Sequence, residues 1–213
     1  MTAQEIIDKF EVYVDDTTEL SAVEELDLLN KVYQKVCANR PWEFLRKTAT
    51  GTLSTTNSYV SLPSDFGFFT ENDTYADNQA PIDNNACPKV VYVIKNGSYE
   101  PYQIINYANR RKYINQEGYC YADIVNSRLY FTAQPTSAYS YEFDYIAFPS
   151  TLTVADTPAF PARFHDVLVH LMAVDHAIIQ QFPKAKSYAA ENEMKAAEII
   201  ADMAYYNSQL NLQ

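Results

Sequence analysis

Residues 160–182 read FPARFHDVLVHLMAVDHAIIQQF. Within them Phe164, Val167, Leu168, Leu171, Val174, Ile178, Ile179 and Phe182 recur at spacings of three and four, the period of one helix face. This is the longest helical signal in the chain, and Pro161 suits its first turn. The stretch is expected to be a spine, with Phe164, Leu168, Leu171 and Ile178 holding other helices around Val32 and Val36. All three histidines of the protein also lie on it. Asp166 and His170 stand four apart on one face, a spacing that suits a metal site or an acid/base pair. His165, His170 and His176 are five and six apart and do not share a face, and HExxH is absent. The simpler reading sends Asp166, His170 and His176 to solvent or to a neighbouring subunit.

Outward from the spine, Pro183 interrupts the pattern. A last helix is predicted from about Lys184 to Tyr206, with Ala185, Tyr188, Ala189, Ala196, Ile199, Ile200 and Met203 on its inner line. At the other end of the chain, Thr2-Ala3-Gln4-Glu5 and Ser21-Ala22-Val23-Glu24 are two capping boxes. The first opens a short amphipathic helix to about Tyr13. The second opens a helix to about Asn39, with an apolar face of Val23, Leu26, Leu29, Val32, Tyr33, Val36 and Cys37. Pro41 ends it, and Trp42 just beyond is expected to be buried.

Between these helical ends the period changes to two. Thr48–Ser54, Tyr59–Leu62, Lys89–Lys95, Ser98–Ile105, Tyr119–Val125 and Arg128–Thr132 read as strands. Asn96-Gly97 is a hairpin turn whose two positions need positive φ. Pro101 points to an edge position or a bulge. From 139 to 147, aromatic residues alternate with Ser140, Glu142 and Asp144, a half-buried strand. Residues 67–88 read as a long exposed loop, and Asn106–Ile114 as at most a helical turn. The predicted fold class is therefore α+β: a helical bundle formed by the N- and C-terminal helices with a central antiparallel β insertion. A single domain is expected over 1–213, helical at 1–46 and 154–213 and β-rich at 47–153.

Composition narrows the function. Three cysteines without CxxC fit reduced thiols rather than a disulfide framework or zinc. There is no apolar run of about 18 residues and no cationic-then-apolar opening, so neither a membrane span nor a signal peptide is expected. Only four glycines are present, and GxSxG, P-loop and GxGxxG motifs are absent. Eighteen tyrosines suit strands and contact surfaces. Net charge is −11, and residues 1–30 hold nine acids against Lys9 alone. The simplest account of that bias is a solvated acidic helix face. Arg110-Arg111-Lys112 is the basic cluster, read first as a solvated loop or an inter-subunit contact.

Several segments, in order, resemble the head-to-tail adaptor (connector, head-completion) proteins of tailed bacteriophages. Leu20-Ser21, Leu28–Tyr33 and Arg40-Pro41-Trp42-Glu43-Phe44-Leu45 resemble the family's start. Tyr59–Phe66 is similar to its strand and turn, Tyr141–Thr153 to its last strand, and Phe160–His165 to its entry into the C-terminal helices. The likeness covers most of the chain outside residues 67–118. It implies a structural virion protein at the neck, assembled in the bacterial cytoplasm, without enzymatic activity or cofactor. Such adaptors form a ring, usually of twelve copies, between the portal protein and a downstream tail or neck protein. DNA passes through without specific binding, and no membrane is involved. On that footing Glu19, Glu24, Glu25 and Asp27 are candidates to line a DNA-repelling channel, Arg110, Arg111, Lys112, Tyr139 and Tyr141 are candidates for the contact between copies, and the C-terminal helix is a candidate to dock on the portal. The competing readings are a carbohydrate- or receptor-binding β module on a helical stalk, and a hydrolase using Asp166 and His170.

Overall fold

Two capping boxes start the first two helices. Thr2 Oγ1 accepts from Glu5 N at 3.2 Å while Glu5 Oε2 accepts from Thr2 N at 2.8 Å, opening α1 (Ala3–Val14). Ser21 and Glu24 repeat the arrangement at α2 (Ala22–Ala38). The computed structural model describes residues 1–15, 20–70, 89–180 and 184–210. These form two compact units, one of residues 1–45 with 148–213 and one of residues 46–147.

In the helical unit, α3 (Asp166–Gln180) follows a 3-10 turn at Ala162–Phe164 and packs on α1, α2 and the long α4 (Ala185–Leu210). The spine is thus enclosed from three sides, so its burial is wider than one face. Val169, Met172, Ala173 and Ala177 are buried along with Val167, Leu168 and Val174. Two expectations are corrected here. His176 is buried and meets the Phe10 ring edge-on at 5.6 Å, and Ile178 is 60% exposed. Phe182 lies outside the described residues.

Polar side chains fix the rest of this unit. Asn30 takes both backbone groups of Leu152, donating to its carbonyl at 3.0 Å and accepting from its amide at 2.6 Å. Gln34 donates to Pro149 O, and Tyr33 Oη accepts from Ala159 N. Trp42 is fully buried, as expected, and its Nε1 donates to Val36 O at 2.8 Å, satisfying a carbonyl at the end of α2. Leu29, Val32, Tyr33, Val36 and Cys37 of the predicted α2 face are buried, and only its first turns depart from that line. Val23 is 70% exposed, while Glu25 and Leu28 are buried.

The sheet unit has eight strands among the described residues: β1 (Arg46–Leu53), β2 (Tyr59–Ser61), β3 (Phe66–Phe69), β4 (Val90–Lys95), β5 (Ser98–Ile104), β6 (Tyr119–Asp123), β7 (Arg128–Phe131) and β8 (Tyr139–Ala147). Their order is β1-β8-β4-β5-β6-β7-β2, with β3 also on β8. The pairs are antiparallel except β5–β6, which is parallel through a 3-10 helix at Tyr107–Tyr113. Asn96 and Gly97 both adopt positive φ in the β4–β5 turn, as read. Pro101 lies before the stretch that β6 pairs, so it occupies a local edge. Residues 67–69 of the predicted loop are strand, and 71–88 lie outside the described residues.

This sheet cannot be flat. In a flat sheet β1 and β2 would lie six strand spacings apart, about 29 Å. Residues 54–58 alone join them, a reach of about 21 Å from Cα to Cα. The sheet therefore curls on itself, and one face becomes a closed core. Leu53, Val60, Val91, Val93, Cys120, Leu129, Phe131 and Phe143 fill it. Gly51 is there because Tyr141 crosses it: a Cβ at Gly51 would stand 2.7 Å from the Tyr141 hydroxyl oxygen.

Candidate interaction surfaces

Curling sorts the tyrosines. Along β2, β6 and β7 the inward residues are Val60, Cys120, Leu129 and Phe131, so Tyr59, Tyr119, Tyr121 and Tyr130 point outward. Register then lines them up, since Tyr130 stands opposite both Tyr59 and Tyr121. Tyr121 and Tyr130 stack at 5.2 Å with 9° between planes, and Tyr59 follows at 5.3 Å from Tyr130. The 3-10 helix adds Tyr107, 5.7 Å from Tyr121.

An arginine closes each end of this ladder. The Arg110 guanidinium lies 3.9 Å from the Tyr107 ring centroid and donates to Tyr107 O. The Arg128 guanidinium lies 4.3 Å from the Tyr59 ring and donates to Tyr130 Oη at 3.3 Å. Burial, and Tyr130 beside it, push the Tyr121 phenol up, so it stays neutral at ordinary pH. Arg111 and Lys112 extend the basic edge into solvent, and among the described residues neither forms an ion pair. The surface is rich in donors, aromatic and cationic, the composition of contact hot spots. The faces of Tyr121 and Tyr130 are pressed together, which leaves their edges and hydroxyls, not open platforms for a sugar or base.

The β8 candidates take the other parity. Tyr139, Tyr141, Phe143 and Tyr145 point inward, and Tyr141 is buried over Gly51. Tyr139 is half-buried beneath the Lys95 ammonium at 5.3 Å. Tyr141 therefore packs into the core of its own sheet, with 9% of its surface exposed. Burial pulls the Lys95 ammonium down, but its bonds to Glu100 and Glu117 outweigh that and hold it above its usual range.

The acidic candidates scatter. Glu19 lies outside the described residues. Glu24 is exposed and caps α2, and its bonds to Ser21 hold its carboxyl below the usual range. Glu25 is 6% exposed. Asp27 is exposed. A stripe that sequence reading did not single out runs along α1. Glu5, Asp8, Val12 and Asp15 are exposed at steps of three and four, and Val12 is 82% exposed.

Asp166 and His170 part company. Asp166 pairs with Lys9 at 2.7 Å. His170 Nδ1 lies 2.9 Å from Asn192 Oδ1. Asn192 Nδ2 donates to Tyr188 O, so its oxygen faces the histidine and Nδ1–H is the donor. Fully buried His165 donates from Nε2 to Phe160 O at 2.9 Å. Burial pushes the Cys37 thiol up to about 12 and raises Cys120 as well, which keeps both protonated. Cys87 lies outside the described residues. Among the described residues no group of three His, Cys, Asp or Glu is placed to hold a metal, and no helix is long and apolar enough to cross a membrane.

A family model described as SU10 adaptor protein matches residues 1–212. A search of curated proteins gives no match.

Proposed function

The chain belongs to the SU10 adaptor protein family, a family of phage structural adaptors, and from that premise we propose that it forms a ring joining the portal of the phage head to the tail. The observation that carries this reading is the match across both units, residues 1–212. Copies repeat one heterologous contact around a closed ring, twelve being the expected number. Duplex DNA passes through the opening without specific binding. Glu24 and Asp27, the two exposed carboxylates of the α2 set, face that passage and discourage phosphates from sticking. The helix α4 docks on the portal, presenting Met194 and Tyr205, which are 67% and 71% exposed. The contact between copies uses the basic edge at Arg110, Arg111 and Lys112, with the outward tyrosines of β2, β6 and β7 in place of Tyr139 and Tyr141.

The test is light scattering after size exclusion, followed by negative-stain imaging, with and without the portal. Rings alone or on the portal support the reading. A chain that stays monomeric and never binds the portal overturns it.

A further inference from the structure

Two exposed surfaces of this chain are complementary in charge. The tyrosine ladder advances in three centroid steps of 5.7, 5.2 and 5.3 Å and carries cations along its edge. The stripe on α1 advances about 15 Å from Glu5 to Asp15 and carries carboxylates around an exposed valine. Tyrosine hydroxyls and arginine or lysine N–H groups donate, and ionised carboxylates only accept. Val12, 82% exposed, is a small apolar knob that a row of ring edges can cover.

We propose that the ladder of one copy docks the α1 stripe of the next copy. The proposal rests on the ring-forming reading above and names its contact. The contact is heterologous, sheet unit to α1, the head-to-tail kind that a ring repeats wherever its rotation closes, and not a two-fold pair. Arg111 and Lys112 meet Asp8 and Asp15, while Val12 covers the Tyr121–Tyr130 edge. Charge complementarity favours a second copy as the occupant: the stripe exposes the carboxylates of Glu5, Asp8 and Asp15, and Arg110, Arg111, Lys112 and Arg128 stand around the ladder.

The experiment uses two full-length variants. One carries Arg111→Glu with Lys112→Glu, and the other Asp8→Lys with Val12→Lys. All four side chains are exposed, so far-UV circular dichroism and melting are expected to match the unmodified protein. Each variant alone sets like charges together at every contact, and its assembly midpoint is expected to move by on the order of tenfold or more. Mixed in equal amounts, the two alternate around the ring, every contact regains opposite charges, and assembly returns. Variants that assemble as the unmodified protein does, or a mixture that stays unassembled, overturn the proposal. So does a charge-reversed ladder that assembles normally but loses retention of duplex DNA, because the patch then faces nucleic acid. An unmodified chain that forms no ring even on the portal overturns the adaptor reading itself, an outcome distinct from all of these.

Discussion

Glycine 51 gives a test whose sign opposes intuition. Gly→Ala in a strand removes flexibility from the unfolded chain and stabilises by about 0.4–1 kcal/mol where the methyl group fits. At Gly51 it does not fit. The new Cβ would lie 2.7 Å from the Tyr141 oxygen and 2.9 Å from two of its ring carbons, against ordinary separations of about 3.5–4.0 Å. The ring must retreat by about 0.5–1 Å, and Tyr141 is buried in a curled sheet among Val93, Phe143 and Leu53. Overpacking of this kind costs about 1–3 kcal/mol. After the entropic gain, Gly51→Ala is expected to destabilise by about 1–2 kcal/mol, a fall of roughly 2–8 °C in Tm for a chain of this size. Differential scanning calorimetry and urea denaturation followed by far-UV circular dichroism measure it. The single Trp42 sits in the helical unit, so its fluorescence reports that unit separately. In a Tyr141→Leu background the three close atoms are gone, and Gly51→Ala becomes neutral or stabilising. A Gly51→Ala protein as stable as its parent, or an equal loss in both backgrounds, would refute the packing argument.

Two further outcomes can be checked on the same preparation. Asn192→Ala removes the acceptor for His170 Nδ1–H at the α3–α4 interface, and is expected to cost about 1–3 kcal/mol in urea unfolding; a change within the error of the midpoint speaks against that bond. Acid acts on the two units in different windows. Burial holds the His165 imidazole below its usual value, with the bond to Phe160 O partly opposing. Its contribution is complete above the unfolded value of about 6.5 and fades as pH falls toward the folded value, and His165→Gln flattens that slope. Burial works to raise the Asp65 carboxyl, but bonds from Lys47 and Tyr145 prevail and hold it below the carboxylate range. Its contribution is present above about pH 3.9 and lost as pH falls through the folded value. Asp65→Asn removes this second slope and leaves the first, and melts across pH that show one common slope would contradict the assignment.

Local signals in the sequence were legible. Both capping boxes, the Asn96-Gly97 turn, the burial of Trp42 and the alternation along β8 could be read because each depends on residues within a few positions. What depended on partners far away could not. Ile178 and His176 exchanged expected places because α3 is enclosed by three helices, and periodicity alone describes a single face. Alternation in β8 was right, but tyrosine suits either face of a sheet, so parity alone did not say that Tyr141 points inward. The ladder joins residues 59, 107, 121 and 130 through strand register and a parallel pairing. Each strand offered the clue of an outward tyrosine beside an inward aliphatic, yet no short window contains two rungs.

The sheet unit also begins and ends on neighbouring rungs. Arg46, its first residue, stands opposite Ile146, and Ala147 is its last. Facing residues in an antiparallel pair lie about 4.5–5.5 Å apart, so the two ends of the sheet unit lie side by side. Residues 46–147 therefore behave as a cassette. Insertions, deletions or wholesale replacement within those two ends need not re-route the helical unit's own chain. A lineage could exchange the surface that one copy shows the next while keeping the helical frame unchanged.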